Sequence, residues 1–80
     1  MSRKSKADEE TVINCLEDSR VSAGLSRQEL ADRVGVHYQT IGYIERGEYS
    51  PSLILALKIA KELMASVEKL FWIEQEEVKK

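Results

Sequence analysis

Two short amphipathic segments joined by a few residues around one glycine constrain this chain more than any other feature. The first opens with Ser26-Arg27-Gln28-Glu29. Ser at the N-cap and Glu at N3 let side chain and backbone satisfy each other's free groups. Leu25 and Leu30 occupy the flanking positions that staple the entering chain to the first turns. Leu30, Ala31 and Val34 form the buried stripe, and Gly35 ends the helix. The second segment begins after Val36 and runs to about Arg46, with Ile41 and Ile44 on its inner face and Gly47 as terminator. Val36 and Ile41 again stand at staple positions. The N-cap is His37, where Ser, Thr, Asp or Asn is usual. Gly42, in the interior, costs the helix about 1 kcal/mol relative to Ala. Either something approaches closely there or glycine is tolerated by default.

Two helices joined by so few residues meet the requirements of a helix-turn-helix. Ala31 is small where the second helix of the pair crosses above it. Gly35 can supply the left-handed backbone that turns the chain. Leu30, Val34, Val36, Ile41 and Ile44 anchor both helices in one core. The other face of the second helix is then free to enter a DNA major groove, which is wide enough to admit it.

Around this unit the expected fold is all-α, with five short helices. A first helix is expected from about Asn14 to Ala23, with a weak apolar face of Cys15, Leu16, Ser19 and Ala23, and with Gly24 following. A fourth helix is expected to start at Ser50 as N-cap and Pro51 at N1. It runs to about Met64, with Leu53, Ala56, Leu57, Ala60 and either Leu63 or Met64 inward. Ser66 caps a short fifth helix over about Val67–Leu70. Thr11-Val12-Ile13-Asn14 reads either as a short strand or as a first helical turn, and Phe71–Glu74 reads as a strand. Residues 1–10 lack apolar periodicity and read as a disordered arm. Residues 11–74 form the domain, and residues 75–80 are a charged tail.

Composition narrows the function. At 80 residues the chain can bury one small core. Its single cysteine, Cys15, and single histidine, His37, build neither a disulfide, nor a metal cluster, nor a Cys–His dyad. No nucleophile–base pair or phosphate loop is in view, so neither an enzyme nor a metal or other cofactor is expected. The polar start has no apolar signal core. The longest apolar run, Leu53–Leu57, is far short of the roughly 18 residues of a membrane span. A cytoplasmic location is therefore expected. The net charge is −2 and unevenly spread. Arg3, Lys4 and Lys6 make the first residues basic, whereas residues 25–63 carry five charges of each sign. There is no basic block to wrap DNA by charge alone. Binding must use a few placed cations and neutral donors.

The segment GLSRQELADRVGVHYQTIGYIERGEYSPSLILALKIAKEL, followed by SVEKLF, resembles the Xre (Cro/phage-repressor-like) family of transcription regulators. The resemblance covers about Asn14–Phe71. It implies a lambda-repressor-like DNA-binding domain, in short members with terminal strands, and the β-tending ends here suit pairing with each other. It places DNA contacts at Tyr38, Gln39, Thr40, Gly42, Tyr43 and Arg46 on the recognition helix. Gln39 has the chemistry for a bidentate contact to adenine N6 and N7. Tyr38 and Tyr43 offer hydroxyls to phosphate and ring faces to thymine methyls. Arg27 and Gln28 lie where free N–H groups and the helix dipole favour a phosphate. Tyr49 and Ser50 can add phosphate bonds. The resemblance also implies an ion pair between Arg20 and Glu45 that fixes the recognition helix. Glu17, Ala23 and Glu48 depart from positions that are often basic in the family. Weak non-specific DNA binding is expected from this, since phosphate neutralisation dominates that binding. The basic arm is placed to compensate.

Three adjacent large groups on a strand cannot all face one side. Phe71, Trp72 and Ile73 are therefore expected to include an outward residue at a dimer interface. A twofold dimer places two recognition helices about 34 Å apart. The expected function is a sequence-specific transcriptional regulator, a repressor in the first reading, acting as a homodimer on a pseudo-palindromic operator. The competing reading is an antitoxin that represses its own operon and binds a toxin through its terminal segments.

Overall fold

The computed structural model describes residues 11–74. The expectations for the arm at 1–10 and the tail at 75–80 lie outside the described residues. The elements in chain order are β1 (Val12–Asn14), α1 (Leu16–Ser22), α2 (Arg27–Val34), α3 (Tyr38–Glu45), α4 (Leu53–Glu62), α5 (Val67–Leu70) and β2 (Phe71–Ile73). No helix among the described residues is long and apolar enough to cross a membrane.

The two readings of the first residues resolve in favour of a strand. β1 pairs antiparallel with β2, Val12 opposite Ile73, Ile13 opposite Trp72 and Asn14 opposite Phe71. α1 consequently starts at Leu16, not at Asn14. Asn14 ends the strand and turns its side chain to the new helix, its Oδ1 accepting from the Leu16 N–H at 2.9 Å. The inner face of α1 also differs from expectation. Leu16 is buried, Ser19 is half-buried and Ala23 is exposed. The second fully inward position belongs to a charged residue, Arg20.

α2 has the reciprocal cap read from the sequence. The Glu29 N–H donates to Ser26 Oγ at 3.0 Å, and the Ser26 N–H donates to Glu29 Oε1 at 2.8 Å. These bonds, the backbone donor first, hold the Glu29 carboxyl below the usual glutamate range. A folded-state value below the unfolded one stabilises the fold above about pH 4.3, the ordinary glutamate value, and the contribution disappears as the pH falls through the folded value. Glu29→Gln should therefore lower the urea midpoint at pH 6. The gap to wild type should close as the pH is taken below 4. A gap that stays constant with pH would remove the carboxylate from the cap.

α3 begins as expected at His37, whose Nδ1 accepts from the Gln39 N–H at 3.2 Å. α4 departs from expectation at its start and in its face. Its N-cap is Ser52, with the hydroxyl accepting from the Leu55 N–H at 3.1 Å, so Ser50 and Pro51 lie in the preceding loop. The inward residues are Leu55, Ala56, Ile59 and Ala60, whereas Leu53 and Leu57 face solvent. The run Leu-Ile-Leu-Ala-Leu is apolar all round, so its periodicity cannot choose a face.

Helix ends follow one device. After α1, α3 and α4 the second residue past the helix takes a left-handed backbone, and the residue beyond it reaches back to the helix: Leu25 N–H to Arg20 O at 3.1 Å, Glu48 N–H to Tyr43 O at 2.8 Å, and Ala65 N–H to Ala60 O at 2.9 Å. Gly24 and Gly47 occupy that position after the first two, but after α4 it is Met64, at φ 56° and 93 % exposed. A side chain there is strained and gains almost no burial. Met64→Gly should raise stability by about 0.5–1 kcal/mol after the flexibility of unfolded glycine is deducted. An unchanged or lower thermal midpoint would contradict this.

The core gathers Leu16, Leu30, Ala31, Val34, Ile41, Ile44, Leu55, Ile59, Ala60 and Leu70 from all five helices. α2 and α3 are locked into it by Leu30, Ala31 and Val34 below and by Ile41 and Ile44 above. The exposed side of α3 is thereby carried on a fixed base.

Candidate nucleic-acid interface

The turn between α2 and α3 is made by Gly35, at φ 80°, with the Val36 N–H donating to Ala31 O at 3.0 Å. It leaves α3 with Ile41 and Ile44 pointing inward and Tyr38, Gln39, Tyr43 and Arg46 outward. A shallow depression on this face is lined by Arg27, Tyr38, Gln39, Gly42, Tyr43 and Arg46. Six of the expected contact residues are thus brought together. Tyr38 is 45 % exposed and Tyr43 44 %, enough for either ring to meet a groove wall. The Tyr38 ring stacks on His37, with centroids 4.8 Å apart.

The remaining expected residues lie at the margins. Gln28 is exposed near the start of α2, its Nε2 donating to Asp32 Oδ1 at 2.9 Å. Thr40 is half-buried and faces a separate apolar hollow shared with Val36, Tyr43, Tyr49 and Leu55. Tyr49 and Ser50 are exposed, and both border a hollow toward β1 and Phe71. Phe71 is half-buried against the core, while Trp72 and Ile73 are exposed.

Charge on this face is organised by Glu45. Its side chain is 1 % exposed and lies 2.6 Å from Arg20 Nε and 2.8 Å from Arg27 Nε. Arg20, itself buried, spends a further donor, Nη1, on the Leu25 carbonyl at 2.8 Å. The pair implied for Arg20 and Glu45 is present, and Arg27 makes it a triad. Arg27 is therefore anchored at one edge, by Nε, while its Nη2 lies 3.9 Å from Glu17 Oε2 at the surface. Its bond to Glu45 raises its proton affinity above the ordinary arginine value. Arg46 is handled similarly: Glu48 Oε1 lies 3.3 Å from its Nε, and its guanidinium carbon lies 5.2 Å from the Tyr43 ring centre. Glu48 is engaged by a cation of the same face.

Gly42 is a site of close approach. A methyl group there would sit 3.2 Å from Arg46 Nη1 and 3.9 Å from Arg27 Cδ and Nε. What comes close is the protein's own Arg46 guanidinium, with Arg27 at ordinary contact distance.

One positioning residue escaped the sequence reading. Asn14 Nδ2 donates to the Ile44 carbonyl at 2.9 Å, so a single side chain ties β1 and the start of α1 to the last turn of α3. An Asn just before a helix signals a cap. Nothing local signals the partner 30 positions away.

A capped helix locked by its inner face, crossing a second helix and turning four polar or aromatic side chains outward, defines a DNA-binding helix-turn-helix domain. The chain matches the HTH_3 family, described as helix-turn-helix, over residues 16–70, and it belongs to that family. The family is one of Cro/C1-type, DNA-binding transcriptional regulators and not an enzyme class. An uncharacterized HTH-type transcriptional regulator of Bacillus subtilis, YgzD, is 44 % identical over 63 residues, covering 79 % of this chain and 96 % of that one. An uncharacterized HTH-type transcriptional regulator of Archaeoglobus fulgidus is 43 % identical over 63 residues, 79 % of this chain and 90 % of its own. Among solved structures, the restriction-modification controller protein C.AhdI of Aeromonas hydrophila superimposes with a TM-score of 0.66 at 36 % identity, covering 70 % of this chain and 85 % of that one. The protein is a helix-turn-helix transcriptional regulator that binds DNA.

Proposed function

We propose that this regulator is a sequence-specific repressor that binds a pseudo-palindromic operator as a homodimer and acts by occluding the promoter. The observation that carries the sequence-reading half of this is the outward row Tyr38, Gln39, Tyr43 and Arg46 on a helix whose opposite face is fully buried. Gln39 reads a base edge, and Arg27, Gln28, Tyr49 and Ser50 hold the backbone around it. Two of the cations on this face are already paired with carboxylates. Affinity for random DNA is therefore low, and specificity rests on placed donors.

The dimer half is supported by apolar side chains that the fold leaves uncovered. Trp72 and Ile73 are 43 % and 48 % exposed, and Leu53, Ile54 and Leu57 share one side of α4 at 52–71 %. Trp72→Ala and Leu57→Glu are each expected to shift the protein toward monomer in sedimentation velocity. A dimer unchanged in both variants would remove these surfaces from the interface.

The function is tested by selecting binding sites for the purified protein from a random duplex pool at low salt. The expected result is an inverted repeat with half-sites about one helical turn, roughly 34 Å, apart. A folded protein that enriches no sequence would overturn the proposal.

A further inference from the structure

The Arg46 guanidinium is held on three sides. Glu48 Oε1 lies 3.3 Å from its Nε, the Tyr43 ring lies 5.2 Å from its central carbon, and Gly42, without a side chain, leaves the space that Nη1 enters. Arg46 caps the C-terminal end of α3, and its side chain runs back toward Gly42, one turn earlier. This carries the charge away from the helix end and onto the middle of the outward face. The Glu48 carboxylate lies on the Nε side of the fork, and the Nη1 end lies over Gly42 on the outward face. An arginine presented in that way matches the two acceptors of a guanine, O6 and N7, in the major groove.

We infer that Arg46 reads a guanine in each operator half-site, and that Gly42 is the specificity-determining residue that makes room for it. The inference rests on the DNA-binding reading of α3 and adds to it the base that Arg46 recognises. Glu48 and Tyr43 are positioning residues for the same fork. A glycine inside a helix lowers helix stability, so its presence at position 42 has a cost to the fold, and the reason lies in the side chain it admits. Alanine at 42 would meet the movable end of Arg46 and no backbone. The fold accepts it and gains from it, while the fork is displaced.

The two readouts should therefore move in opposite directions. Gly42→Ala is expected to raise the thermal midpoint by about 4–8 °C, the shift corresponding to the helix-propensity difference in a domain of this size. It is expected to weaken binding to the selected operator by about tenfold. Arg46→Ala is expected to lose the preference for guanine at one position of each half-site, by about 5- to 150-fold, and to keep the preferences elsewhere. Gly42→Ala added to Arg46→Ala is expected to cost no further affinity.

The test is site selection from random duplexes with wild type and the three variants, followed by titration of the winning operator and of its guanine-substituted forms. If Arg46→Ala weakens all sequences equally and reduces the salt slope by about one, Arg46 holds a phosphate and the inference fails. It also fails if Gly42→Ala binds the operator as wild type does, or if the double variant is weaker than Arg46→Ala. If wild type itself selects no sequence, the DNA-reading function fails before this inference is reached.

Discussion

Glu45→Ala is expected to remove about 3–5 kcal/mol of stability at 25 °C, a large share of what a domain of this size has. The carboxylate is buried and faces two arginines, one of which, Arg20, has an 8 % exposed side chain. Removing it leaves the Arg20 guanidinium in the interior with the Leu25 carbonyl as its remaining described partner. Breaking a buried pair in this way costs about 3–5 kcal/mol. An 80-residue domain has a total stability on the order of 4–12 kcal/mol. Arg27 lies half in solvent, and its share of the loss is screened. Glu45→Gln keeps the shape and one acceptor, so it should fall between wild type and alanine. Urea denaturation followed by circular dichroism gives the order. A Glu45→Ala variant as stable as wild type would mean that the triad only orients α3 and does not hold it.

Gln39→Ala should strongly weaken operator binding while leaving the fold intact. The side chain is exposed and sits one residue into α3, where the backbone N–H is already capped by His37. Truncation therefore costs the domain little. A lost bidentate contact to adenine costs about 1–3 kcal/mol on the cognate operator, and almost nothing on random duplex. Equilibrium titrations on both DNAs separate the two. Equal losses on both would assign Gln39 to the phosphate backbone.

The central pair of helices was legible because each of its signals is local. Ser26 and Glu29 sit three residues apart, Gly35 follows the last apolar position, and Ile41 and Ile44 lie at helical spacing. The Arg20–Glu45 pair was reached only through family resemblance, since its members are 25 positions apart. The start and inward face of α4 were misread for a physical reason. Ser50-Pro51 and Ser52 both offer plausible starts, and Leu53–Leu57 has no polar residue to mark the outside. The site was legible residue by residue but not as an arrangement. Sequence marked Arg27 for phosphate, Glu48 as a departure and Gly42 as a cost. The structure joins Arg27 to Glu45 and Glu48 to Arg46, and gives Gly42 its neighbours. Side-chain pairing across a turn depends on rotamers that no spacing rule contains.

The strand pairing has a consequence for the order in which the molecule assembles. Val12 meets Ile73 across about 60 residues of chain, whereas α2 and α3 meet across a short turn. Closing the larger loop costs more chain entropy, and three paired residues return little for it. The hairpin of α2 and α3 can therefore form early from local contacts, with the two-stranded sheet zipping shut late, once α5 has brought Leu70 beside Cys15, where the Cys15 N–H donates to the Leu70 carbonyl at 3.0 Å. Asn14 sits at the end of that late-closing strand and holds the Ile44 carbonyl. The last turn of the recognition helix is thus tied, through one amide side chain, to the strand whose pairing closes the longest loop of chain.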